Sequence, residues 1–198
     1  MRTLRGLIAD TRGVAAIEFV LVVPLMVAIT FGIYELGALV RASMKVNNAA
    51  MSIADLVGQQ AAGTTGGSTG SLGYFCKAGK LTMTPYGASG TSGAGTFTAA
   101  IASVTNYTGG GVTVDWESDS ACGVTATALS STAKTLATSP INLIPTAGAP
   151  GDSVIVVKVT YQYASAISFL FPSLFTLTQT AYVRPRGNTP VTCTSPCS

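Results

Sequence analysis

Apolar residues run almost unbroken from Val14 to Val40, and Glu18 and Glu35 are the only charged interruptions. The uncharged centre of that run, Phe19 to Tyr34, spans about 24 Å as a helix. Its flanks extend it to roughly the 30 Å of a hydrocarbon core, so the pattern predicts one transmembrane helix over residues 14–40. Beyond Arg41 the apolar positions narrow to a stripe. Val46, Ala50, Ile53 and Val57 recur at three- and four-residue spacing among Lys45, Asn48, Ser52, Asp55 and Gln59. Residues 41–60 are therefore expected to continue the helix as an amphipathic stem that packs on the domain downstream of it. The glycine-, serine- and threonine-rich run Gly63 to Gly70 breaks the periodicity, and residues 61–73 are expected to form a flexible linker.

The remaining residues, 74–198, alternate rather than cycle. Val157, Val159, Tyr161 and Tyr163 interleave with Val156, Lys158, Thr160 and Gln162. A second alternation sets Phe175, Leu177, Gln179, Ala181 and Val183 against Thr176, Thr178, Thr180 and Tyr182. This period of two predicts an antiparallel pair of half-buried strands beneath the stem. Further strands are expected over Phe97 to Val104 and Gly111 to Glu117, joined by a turn at Gly109-Gly110-Gly111. Short helices are expected over Ser71 to Met83, ending near Pro85, and over Ser130 to Thr138. The apolar connection Ala164 to Leu174 is too short and too interrupted for a second span, and is expected to tuck into the core. The fold class is α+β, a long N-terminal helix followed by a small domain with an antiparallel sheet.

Composition narrows the function. The 198 residues have a mean hydropathy of +0.47 and are 10% charged, which suits one modest domain beside a membrane segment. The net charge of +3 is scattered, with no basic stripe interleaved with aromatics, so no nucleic-acid partner is expected. Histidine is absent, which removes the usual general base, the commonest metal ligand and every Ser/His or Cys/His nucleophile. No catalytic residue, cofactor or metal is expected, and the protein is read as a non-enzyme.

Cys76, Cys122, Cys193 and Cys197 all follow the apolar run. An even count beyond a membrane segment points to disulfides in an oxidising compartment. Four zinc thiolates would arrive as two close pairs, and only Cys193 and Cys197 are close. Of the three possible pairings, Cys76 with Cys122 and Cys193 with Cys197 is favoured, the second closing a small loop around Pro196. Asn106-Tyr107-Thr108 fits an N-glycosylation acceptor and is read as a chance match.

Around the helix, Met1 to Gly13 carries Arg2, Arg5 and Arg12 against Asp10. With Arg41 and Lys45 just past the span, the charge bias is slight. The cysteines favour a cytoplasmic N-terminus and an exported C-terminal part. The apolar run is too long for a secretory signal peptide, and no cleavage site of that kind comes after it. Pro24 removes one backbone donor, so a local kink is expected. Ala28 and Gly32 are small residues four apart, a spacing that lets membrane helices approach closely. Glu35 is expected to face water or headgroups.

Glu18 alone would mark the membrane interface. Its neighbours say more. Gly13 is followed by Val14-Ala15-Ala16-Ile17 and then Glu18-Phe19, which resembles the type IV prepilin processing site in the G-x-x-x-x-E-F form of the Flp and TadE-like branch. That resemblance implies cleavage after Gly13 by a prepilin peptidase of the inner membrane, leaving Glu18 fifth in the mature chain. The freed ammonium of Val14 would then neutralise the carboxylate of a neighbouring subunit and fix axial register. The run Val159 to Tyr163 and the tail Ala181-Tyr-Val-Arg-Pro-Arg-Gly187 also look like the C-terminal half of TadE-like proteins. An Flp-type major pilin would lack the exported domain, so the TadE-like minor pseudopilin fits better.

The resemblance implies a subunit that joins other pilins, pseudopilins and the assembly platform of a tight-adherence type IV pilus. The competing reading is an unprocessed single-span membrane protein whose exported domain binds envelope partners.

Overall fold

In a computed structural model, the described residues are 12–107, 111–139, 152–167, 174–187, 189–194 and 197. The chain divides into two units, Met1–Leu39 and Val40–Ser198. One helix, α1 (Arg12–Gly58), runs through both, and it continues on either side of Pro24. The proline lacks the N–H that would reach the Val20 carbonyl.

Composition changes along this helix, and its surroundings change with it. From Val14 to Tyr34 every large apolar side chain but Val23 is exposed, Phe19 at 69% and Leu21 at 71%. From Ala42 onward the stripe Ala42, Val46, Ala49, Ala50, Ile53, Ala54 and Val57 is buried to within 1%. The amphipathic half thus packs as expected, and Glu35 departs from expectation. It is 3% exposed rather than facing water. Glu35 lies seven residues, two helical turns, before Ala42 and so shares the face that is buried further along the helix.

The second unit is built on a four-stranded antiparallel sheet in the order β3-β2-β4-β5, which bears out the α+β reading. Its strands are β2 (Phe97–Tyr107), β3 (Gly111–Ser118), β4 (Ser153–Ala164) and β5 (Leu174–Val183). The β4–β5 pair matches Val159 with Gln179 and Val157 with Ala181. The strand β2 lies against β4 in register Phe97 with Tyr161 and Ile101 with Val157. β2 has a strand on either side, and Ser103 and Thr105 are buried along with its alanines, whereas Thr98 is half-buried.

Directly opposite residues share a face. One face therefore carries Phe97, Ala99 and Ile101 with Ile155, Val157, Val159, Gln179 and Val183. The stem packs here: Gln179 Nε2 donates to Ser43 Oγ at 3.3 Å, and Gly58 lies against Val183. The other face carries Ala100, Ala102, Val104, Val154 and Val156, which form a second core with Leu129 and with Ala133 and Ala137 of α3 (Ser131–Thr138). That helix covers only one end of the face. Lys158, Thr160 and Gln162 of β4 beside Thr176, Thr178 and Thr180 of β5 remain at least partly exposed.

Residues 61–73 are not the flexible linker that their composition suggests. They contain β1 (Thr64–Thr65), which pairs in parallel with β6 (Cys193–Thr194). Thr64 N donates to Thr192 O at 2.8 Å, and Gly66 N donates to Thr194 O at 3.1 Å. Ser71, the first residue of α2 (Ser71–Thr82), exchanges hydrogen bonds with Thr65 on both backbone and side chain. At Gly73 a β-carbon would strike the Ser68 carbonyl, so glycine there lets the chain fold tightly upon itself. The low side-chain content that reads as flexibility is here a condition for close backbone packing. The Gly109-Gly110 turn, most of the apolar connection (168–173) and Pro196 lie outside the described residues.

Candidate functional site

The residues singled out around Gly13 sit at the start of α1. The helix already includes Arg12, so the Gly13–Val14 bond lies in its first turn. Val14 and Glu18, four apart, share one helix face, and both are exposed, as is Phe19. Glu18 is the one charged side chain between Val14 and Tyr34, on a helix surface made largely of exposed apolar residues.

Further along, Ala28 is exposed and a β-carbon placed on Gly32 or Gly37 meets nothing within 4 Å. This stretch of helix surface is shallow and open to close approach by another helix. Thr30 Oγ1 donates to Met26 O at 2.8 Å, satisfying its own hydroxyl within the helix.

In the second unit the sulfurs stand at bonding distance in two pairs, Cys76 with Cys122 and Cys193 with Cys197, with Cα separations of 5.3 and 6.1 Å. The first ties α2 to the loop after β3, where Lys80 Nζ also donates to Cys122 O at 2.9 Å. Burial lowers the pKa of Lys80 from its ordinary value. The second closes the C-terminal strap that carries β6. Trp116 anchors the same strap by donating from Nε1 to Val191 O at 2.6 Å.

Sequence reasoning missed a hydroxyl–carboxylate cluster. A register shift after Ser103 bulges β3 at Asp115 and turns its carboxylate toward β2. Ser103 Oγ donates to it at 3.1 Å, Tyr107 OH at 2.7 Å, and Thr105 Oγ1 as well. The bond to Asp115 raises the Tyr107 pKa, and burial and the carboxylate charge add to it. A recess of about 300 Å³ lies between this cluster and the C-terminal strap. The arrangement ties the bulged part of β3 to the end of β2. No sequence motif signals it, since the bulge depends on pairing with β2. Asn106 on the same strand is 5% exposed, which sets its side chain away from a modifying enzyme.

A solvent-exposed apolar helix of spanning length, continuous with a packed stem and one disulfide-bearing α+β domain, is compatible with a single-pass membrane protein. Residues 13–55 match the family model described as TadE-like protein, the family whose motif the Gly13 to Phe19 segment resembles. The match begins at the glycine of that motif and ends within the stem. No curated protein and no solved structure matches the chain.

Proposed function

We propose that the protein is a minor pilin-like subunit, a pseudopilin, that takes part in assembling a bacterial tight-adherence type IV pilus or secretion machine after its leader is removed. The observation that carries the reading is the match from Gly13 through the exposed apolar helix, with Glu18 as its one early charge. On this reading prepilin peptidase cuts between Gly13 and Val14. The helix is held in the inner membrane with its N-terminus cytoplasmic and its domain exported, where the two cysteine pairs are oxidised. The new ammonium of Val14 meets Glu18 of a neighbouring subunit, and the open surface at Ala28 and Gly32 lets the rods pack. The role is structural, without catalysis, and the partners are other pilins, pseudopilins and the assembly platform.

Intact mass and N-terminal sequencing of the protein from its own envelope test this directly. A chain beginning at Val14 supports the assignment, and a chain retaining the basic extension overturns it. Replacing Gly13 with a bulky residue is expected to block trimming. Glu18→Ala is expected to permit trimming and to impair entry into the assembly, and unchanged co-purification would remove the register argument.

The placement of the Gly13–Val14 bond within the first helical turn favours a second reading, because a peptidase must unwind that turn to reach it. In that reading the chain stays whole as a single-span protein whose exported domain binds envelope partners. The same mass measurement separates the two.

A further inference from the structure

The two edges of the sheet differ in a way that the proposed role does not explain by itself. Exposed edges are templates for pairing, and proteins blunt them with charge, proline, bulges or covering segments. The β3 edge is blunted. It bulges at Asp115 and is flanked by the C-terminal strap at Trp116. Among the described residues the β5 edge has none of these devices. Leu174 to Val183 contains no charged residue, no proline and no glycine over ten positions. Among the described residues no backbone hydrogen bond reaches its outer side.

We propose that the outer edge of β5 is a docking strand, completed in the assembly by an extended, uncharged segment of a different polypeptide through strand addition. This rests on the reading of the chain as an assembly subunit and names the surface by which it joins. The segment presents apolar residues at alternate positions beside Phe175, Leu177 and Ala181, and small or hydroxylated ones beside Thr176, Thr178 and Thr180.

A second copy of this chain fits poorly. Ser43 and Gly58 both touch one sheet face, so the stem axis lies along the sheet. Antiparallel pairing of two β5 edges has its dyad perpendicular to the sheet, which reverses that axis. The two Val40 ends would then point opposite ways, although both chains enter their stems from one membrane. Parallel pairing about an axis along the strands exchanges the faces. It sets the Phe175–Leu177 row beside the partner's threonines and loses the like-with-like contacts that stabilise neighbouring strands. Head-to-tail joining of β5 to β3 meets the bulge at Asp115 and the flanking strap.

Hydrogen exchange of the full-length protein tests the proposal, comparing the chain free in detergent with the chain in pilus assemblies isolated from cells that express the complete apparatus. The outward amides of β5 are expected to slow at least tenfold on assembly. Thr178→Lys is expected to lower recovery in the assembly at least tenfold, whereas Thr113→Lys on β3 leaves it unchanged. Unaltered exchange at β5 within assemblies that contain the chain overturns the docking strand and leaves the assembly role intact. A Thr178→Cys variant that cross-links to the same position of a second copy overturns the assignment to a different polypeptide. If the wild-type chain never enters the assembly, the subunit reading itself fails, and the docking strand fails with it.

Discussion

Gly79 on α2 lies against Ile53 on the stem, so closely that a β-carbon at Gly79 would fall 2.6 Å from the isoleucine Cδ1. Ile53 is fully buried, and the missing side chain is what lets the two helices meet. Gly79→Leu is therefore expected to destabilise the domain by about 1–3 kcal/mol through overpacking. That exceeds the ~1 kcal/mol which helix propensity returns. Urea unfolding of the full-length protein in detergent checks this. Adding Ile53→Ala is expected to recover part of the loss, because the new side chain occupies the vacated space.

The C-terminal strap depends on Trp116. Its indole N–H reaches Val191 O two residues before β6, so Trp116→Phe keeps most of the packing and deletes the hydrogen bond. A loss of about 1 kcal/mol is expected. The sensitive readout is the Thr64 amide, which donates to Thr192 O in the strap. It is expected to exchange about fivefold faster, the factor that corresponds to 1 kcal/mol.

Alkaline pH acts through Tyr161. Its phenol donates to Gly87 O at 2.8 Å, and burial, followed by the charge of Tyr86, raises its pKa above the ordinary value. The folded state thus holds the proton more tightly than the unfolded chain. The stabilisation is fully present below an unfolded pKa of about 10 and is lost as pH climbs through the higher folded value. Tyr161→Phe is expected to be less stable than the parent at pH 8, and the gap is expected to narrow at pH 11. Denaturation midpoints of both proteins at the two pH values test this.

The two cysteine pairs close loops of very different size, with sequence separations of 46 and 4. On loop-closure entropy the first contributes about 4 kcal/mol and the second about 2. Replacing Cys76 and Cys122 by serine is expected to cost roughly twice as much as replacing Cys193 and Cys197. Unfolding of the two double variants under non-reducing conditions compares them.

Elements whose signal is local were legible along the chain. An apolar run with two charges is long enough to read as a span wherever it packs, and the stripe from Val46 to Val57 marks a buried helix face by spacing alone. The alternation around Val157 and Leu177 likewise marks two strands. The Gly13 to Phe19 motif could be read because all of its residues are neighbours in the chain. Long-range pairing, in contrast, makes β2 central, which buries Ser103 and Thr105 and lets a bulge aim Asp115 at them. It also pins Thr64 to Thr192, 128 residues away, where glycine-rich composition reads as a loose linker. Periodicity reports how one segment presents its side chains, whereas sheet order and strap closure depend on which distant backbone satisfies each N–H and C=O.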